Sequence, residues 1–356
     1  MDYMKEFKDI SAEEAVILWQ ASRLSLSKSY EKAPEILKVH GSVIGTLGNF
    51  SASIGKAKSK KTFNVSTIVA AALKNGTVLR YVAELSYGKR KVLYVDTEQS
   101  PYHCLKVMKR ILRMADLPDD RDNENLEFLA LRKYTPEQRI RIVEQAIYNT
   151  PDIGLVIIDG IRDMVYDINS PGESTRIISK LMQWTDDRQI HIHTILHQNK
   201  GDENARGHIG TELNNKAETV LLVEKDKSNG DISNVSAMHI RAMDFEPFAF
   251  RINDSALPEL IEGYKPEAKK PGRPEEEKFD PYRHITEQQH RIALEAVFGL
   301  KYGYKELEDA LIKSYTSIGV KLNHQKAVPL ITMLRNKRMI VQENGRKYTF
   351  MPDFHY

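Results

Sequence analysis

The stretch "IGKAKSKKTF", Ile54 to Phe63, is nearly a phosphate-binding loop, and how it is read decides the fold. Aligned on G-x-x-x-x-G-K-[ST], Gly55 fills the first glycine, Lys61 the lysine and Thr62 the hydroxyl, while Lys60 stands where the second glycine belongs. Such a loop works because successive backbone N–H groups and the start of the following helix point at phosphates, the lysine offers a mobile cation and the hydroxyl ligates magnesium. A lysine in place of that glycine costs about 1 to 2 kcal/mol if the backbone must be left-handed, and its side chain can point outward. The flanks agree with the loop, since the apolar run "NFSASI" precedes it and the helical pattern "FNVSTIVAAALKN" follows. Gly55, Lys56, Ala57, Lys58, Ser59, Lys60, Lys61, Thr62 and Phe63 are therefore the expected nucleotide-binding segment, with a lysine-rich surface turn as the plain alternative.

Two further strand ends weigh against that alternative. "KVLYVDTEQ" places Glu98 just past an apolar run, where a carboxylate can polarise a water attacking a γ-phosphate. "IGLVIIDG" ends a run of aliphatics in Asp159, the form expected of an acid that holds magnesium, although a helix N-cap also accounts for such an aspartate. Ligands of open α/β sheets sit at these carboxyl ends. A fourth run, "IHIHTILHQNK", ends in His197 and Gln198, placed to sense a phosphate. His191, His193 and His197 share one face of it, and strand alternation explains that phase better than a zinc site does. The polar segment from Asn199 to Asn215 carries Lys200 and Arg206 and is long enough to be a moving functional loop.

Around these motifs, runs of four to eight apolar residues alternate with helical patterns, which predicts an α/β domain with a mostly parallel sheet covered on both faces. Residues 1–35 read as an amphipathic helical segment starting at Ser11, with Glu14 completing a capping box and an apolar face that must pack on its own domain or a neighbouring subunit. The ATPase-like domain is expected over 36–262. The proline-rich, charged stretch over 263–283, within "YKPEAKKPGRPEEEKFDPYR", reads as a linker. Over 284–356, three helical patterns followed by two β-rich runs about Asn344-Gly345 make a winged helix-turn-helix. Its third helix presents Gln325 and Lys326, and its wing presents Arg346 and Lys347, to DNA; Pro329 interrupts that helix pattern.

Bulk composition fits this plan. An apolar fraction of 41% with 28% charged residues belongs to a globular chain, and no run approaches a membrane span. The acidic, mixed start lacks the pattern of a secretory signal, so a cytoplasmic protein is expected. Cys104 is the only cysteine, which rules out an intrachain disulfide and four-cysteine zinc sites. A net charge of +3 is too small to identify a nucleic-acid partner by itself.

From about Lys38 to Ile252 the sequence resembles the RecA-like ATPases, most closely the plasmid RepA-type and DnaB-type hexameric helicases. The likeness rests on the order of "IGKAKSKKT", "VLYVDTEQ", "LVIIDGIRDM", "ILHQNKG", "ARGHIGTELNNKAETVLLVEKD" and "HIRAMDFEPFAFRI". It implies ATP and Mg²⁺ bound by Lys61, Thr62 and Asp159, Glu98 as catalytic base, and His197 or Gln198 as γ-phosphate sensor. It also implies a homo-oligomeric ring, a hexamer in that branch, in which an arginine reaches the neighbour's nucleotide. Arg241 is the nearest match for this role and Arg206 the second. Single-stranded DNA would lie against the loop bearing Lys200, giving a replicative-type helicase; the loop variant also looks like those of plasmid and mobile-element ATPases. The alternative is a nucleotide-gated DNA-binding regulator, or an accessory ATPase of mobilisation or transposition, without unwinding. Lys60 breaks the loop pattern, and the basic pair before the final strand is reduced to Arg241 with Met243.

Overall fold

The computed structural model describes residues 10–198, 207–264, 279–297, 299, 301–343 and 347–351. The chain divides into two compact units, Met1–Pro266 and Glu267–Tyr356.

In the first unit α1 (Ala12–Ala21) begins where Ser11 Oγ accepts the Glu14 N–H at 3.1 Å. It is shorter than the expected segment. Ser22 turns its hydroxyl back onto the Trp19 carbonyl, and Ser25 and Ser27 bond to each other, local contacts that compete with the helix. No residue of α1 is buried, and Ile17 and Trp19 are 65% and 61% exposed, so within this unit the expected packing of its apolar face does not occur.

Next come β1 (Glu35–Val39), β2 (Ser42–Thr46), β3 (Phe50–Gly55), α2 (Lys61–Lys74), β4 (Thr77–Val78), β5 (Tyr81–Ala83), β6 (Lys91–Asp96) and α3 (Pro101–Met114). They are followed by β7 (Leu126–Ala130), α4 (Pro136–Asn149), β8 (Ile153–Asp159), α5 (Pro171–Arg188), β9 (His191–His197), α6 (Gly207–Lys216), β10 (Thr219–Lys225), β11 (Ile232–Ile240), β12 (Phe248–Ile252) and β13 (Pro258–Ile261). Nine strands form one sheet in the order β13-β12-β11-β10-β3-β9-β8-β6-β7. The strands from β10 to β7 are parallel to one another; β11 to β13 extend the sheet antiparallel. A small sheet, β2-β1-β5-β4, flanks it. The parallel strands are buried on both faces, as their aliphatic runs require. One face packs under α2 and α3 through residues such as Ile68, Ile111, Ile157 and Ile195, the other under α4 and α5 through Val143, Leu181, Trp184 and Ile158. Cys104 is buried on α3.

Strand order is what builds the site. β9 lies between β3 and β8, so His197 comes level with Gly55, while Asp159 pairs with Asp96.

The second unit holds α7 (Pro281–His284), α8 (Glu287–Glu295), α9 (Tyr304–Ser317), α10 (His324–Asn336) and an antiparallel pair, β14 (Ile340–Gln342) with β15 (Tyr348–Phe350). Leu294, Leu311, Tyr315, Leu330 and Leu334 are in its core. α10 runs through Pro329 as one helix. The expected Asn344-Gly345 turn, Arg346 and most of the linker lie outside the described residues. Among the described residues no helix is long and apolar enough to cross a membrane.

Candidate functional site

β3 delivers Gly55 against β10. A Cβ on Gly55 would stand 2.1 Å from the Val223 carbonyl oxygen and 2.7 Å from Ser59 Oγ, so only glycine fits there. Lys58 and Lys60 both take left-handed backbone, with φ of 65° and 66°. The position that breaks the loop pattern thus has the conformation for which glycine is ordinarily chosen. The Lys60 ammonium donates to the Asp231 carbonyl in the β10–β11 turn, and burial pushes its pKa down.

Lys61, buried at the start of α2, donates to the Gly55 carbonyl at 2.8 Å and the Lys56 carbonyl at 2.9 Å. Its Nζ also lies 3.0 Å from His197 Nδ1. An ammonium has donors only, so His197 Nδ1 accepts. The neutral ring then carries its proton on Nε2, which lies 3.7 Å from Glu98 Oε1. Burial lowers the Lys61 pKa to about 8, and the His197 imidazole beside Glu98 holds that carboxyl below the usual range. Gln198 is buried, and its main-chain N–H donates to the Gly55 carbonyl at 3.1 Å.

Thr62 Oγ1 donates to Asp159 Oδ2 at 3.0 Å, and the buried Tyr94 hydroxyl donates to the same oxygen at 3.0 Å. Burial, reinforced by Asp96, raises the Asp159 pKa to about 7. A hydroxyl and a buried carboxylate in contact, with oxygen the only donor element, are a set that fits magnesium. Asp96 bonds the N–H groups of Glu98 and Gln99 at 3.0 and 2.7 Å and so fixes the turn that presents Glu98. Thr97 Oγ1 bonds the carbonyls of Asp159 and Gly160 and the Asp163 carboxylate, tying the turns after β6 and β8 together.

Lys61, Thr62, Asp96, Glu98, Asp159 and His197 line one cavity of about 410 Å³, together with Gln99, Val107, Arg110 and Arg162. The Arg110 guanidinium stacks 3.6 Å from the Phe63 ring centroid, giving the cavity a flat, cationic-aromatic wall. Sequence reasoning missed Tyr94, Asp96, Thr97, Arg110 and Arg162. Asp96 had a signal, since it lies two residues before Glu98 in the same motif; Arg110 had none, because only packing brings α3 over the loop.

Not every expected site residue converges here. Lys56 and Ala57 are exposed on the loop, where Lys56 contributes its carbonyl to Lys61. Arg241 follows β11, whose Ile240 pairs with Thr219 and hence lies level with Ser51, at the sheet end opposite the loop. It does not reach this chain's own cavity and donates instead to the Lys216 carbonyl at 3.4 Å. Lys200 and Arg206 lie outside the described residues. His191 and His193 are buried and bonded to Ser51, Ser53 and the Thr46 carbonyl. In the second unit Gln325 and Lys326 lie in the first turn of α10, with the Lys326 ammonium 5.5 Å from the Phe279 ring, and Lys347 is exposed beside β15.

A parallel sheet whose loop strand, two acid-bearing strands and histidine-tipped strand converge on one cavity has its candidate site at the carboxyl ends of the strands, where open α/β sheets bind their ligands. Residues 28–203 match the model of a family described as "AAA domain". Among solved structures, the crystal structure of the RadB recombinase is 14% identical, with a TM-score of 0.41 over 59% of this chain and 90% of that chain. No curated protein matches the sequence.

Proposed function

We propose that the chain binds Mg–ATP in the cavity at the carboxyl end of β3 and hydrolyses it, coupling turnover to DNA. The observation that carries this is the Lys61 ammonium, buried beside His197 and within one cavity of a Thr62–Asp159 oxygen pair and Glu98. The loop amides and Lys61 would hold the phosphates, and Thr62 with Asp159 would hold the metal. Magnesium, when bound, neutralises charge developing on the transferred phosphoryl. Glu98, ionised and fixed by Asp96, would orient the attacking water and take its proton. His197, between Lys61 and Glu98, would report phosphate to both. The Arg110–Phe63 wall suits a planar base.

Assembly into a ring in which Arg241 serves a neighbour's site agrees with its placement away from its own cavity. DNA contact by the second unit, read as a winged helix, is supported by its three longer helices, its antiparallel pair and the basic residues Lys326 and Lys347. Together these favour a DNA-stimulated motor of the replicative-helicase type, cytoplasmic and of plasmid or mobile-element kind. The tether from Lys60 to Asp231 favours the second reading, a nucleotide-gated DNA-binding regulator with slow turnover. ATPase rate with and without single-stranded DNA, combined with strand displacement, decides between them. Stimulated turnover with unwinding supports the motor; site-specific duplex binding with negligible turnover supports the regulator. Absence of nucleotide binding ends both.

A further inference from the structure

A column of polar side chains on the α2 face of the sheet lies beneath the site. Ser53 Oγ is 2.8 Å from His193 Nε2, and His193 Nδ1 is 2.7 Å from Ser51 Oγ. Ser51 Oγ is in turn 2.7 Å from His191 Nε2, and His191 Nδ1 is 2.9 Å from the Thr46 carbonyl oxygen. All four side chains belong to residues no more than 1% exposed.

One end of this column fixes every proton in it. A carbonyl oxygen only accepts, so His191 Nδ1 bears hydrogen, and in the neutral ring Nε2 is bare. Ser51 must donate its single hydroxyl proton to that Nε2. The Ser51 oxygen then accepts from His193, so His193 also bears its proton on Nδ1, and Ser53 donates to the bare Nε2 of His193. Burial pushes the His193 pKa down to about 3 and lowers that of His191, which keeps both rings neutral. At the strand tip the sense reverses, because Lys61 forces the His197 proton onto Nε2.

We propose that Ser53, His193, Ser51 and His191 are positioning residues. Their one-directional hydrogen-bond chain locks the strand carrying His197 to the strand carrying the phosphate loop. Ser51 pairs with His193 and Gly55 with His197 in the same register, so a shift anywhere along the column displaces His197 from Lys61. Because reversing one bond requires reversing all of them, the column has one satisfied arrangement and resists sliding of β9 past β3. The catalytic consequence rests on the nucleotide reading; the proton arrangement does not.

The test is long-range ¹H–¹⁵N correlation spectroscopy on the ¹⁵N-histidine-labelled full chain, with resonances assigned by Ser51→Ala and Ser53→Ala. The expected result is the Nδ1–H form for His191 and His193 between pH 6 and 8, and the Nε2–H form for His197. An Nε2–H or doubly protonated ring at His191 or His193 overturns the proposal. In the companion measurement, Ser53→Ala lowers kcat for ATP about tenfold with KM little changed, and Ser53→Thr, which restores a hydroxyl, recovers most of the loss. An unchanged kcat in Ser53→Ala overturns the positioning role even if the tautomers are as stated. A wild-type chain without ATP turnover removes the positioning role together with the nucleotide reading and leaves the proton arrangement to the spectra.

Discussion

The Lys60 ammonium is bonded to the backbone carbonyl of Asp231, a residue far along the chain in the β10–β11 turn. The side chain that occupies a slot usually given to glycine is therefore used as a tether, while its backbone still takes the left-handed form that glycine would take. Lys60→Gly relieves the left-handed strain at the cost of a more flexible unfolded chain. Because the bond to Asp231 is lost as well, the net expectation is a change of less than about 1 kcal/mol in the first unit, read by denaturant unfolding, with ATP affinity retained.

Gly55→Ala has the opposite sign. Its Cβ would meet the Val223 backbone oxygen, which cannot move without breaking the β3–β10 pairing. A loss of about 3 kcal/mol, together with lost nucleotide binding, is expected in the same unfolding measurement and in fluorescent-nucleotide titration.

Lys61→Ala should abolish nucleotide binding by removing the cation at the loop. Glu98→Gln should leave binding intact and lower kcat by about 10² to 10⁴. Equal loss of binding in both variants would contradict the separate roles given to them.

Asp159 and Lys61 set an expected pH profile. Asp159 is raised to about 7 by burial, so its carboxylate form, which on the proposed reading would hold the metal, declines below that pH. Lys61, lowered to about 8 by burial, loses its charge above it. kcat/KM for ATP should therefore be bell-shaped with limbs near these values, and Asp159→Asn should abolish activity. The stability effect of Asp159 runs the other way from that of an ion-paired acid. Its folded pKa is raised, so its contribution is fullest below about pH 4 and is lost as pH rises through about 7, at up to about 1.4 kcal/mol per pH unit. Asp159→Asn should flatten that part of the stability profile.

If the second unit contacts DNA through Lys347, then Lys347→Ala in the full chain should weaken duplex binding uniformly across sequences. The slope of log K against log salt should fall in magnitude by about 1. An unchanged slope would remove Lys347 from the interface.

The strand–loop–helix around Gly55, Lys61 and Thr62, and the acids at Glu98 and Asp159, were legible because each is written in a contiguous stretch. Aliphatic runs, breaker residues and one polar residue at a strand tip are local signals, and they also marked the parallel character of the sheet and the alternation of its helices. The short α1 was less legible, because hydroxyl groups of Ser22 to Ser27 compete with the helix in a way that periodicity does not record.

By itself the sequence determined which residues arrive at strand ends and that a left-handed, glycine-like position would be filled by Lys60. Only the tertiary structure decided that β9 lies between β3 and β8, which puts His197 between Lys61 and Glu98, and that Arg241 comes out at the far end of the sheet. Only it, too, gave Asp159 to Thr62 and Tyr94, and His193 to Ser51 and Ser53. Those pairings join residues 65 to 142 positions apart in the chain. Hydrogen-bond partners across a sheet are chosen by strand order and register, and neither is a property of any local stretch.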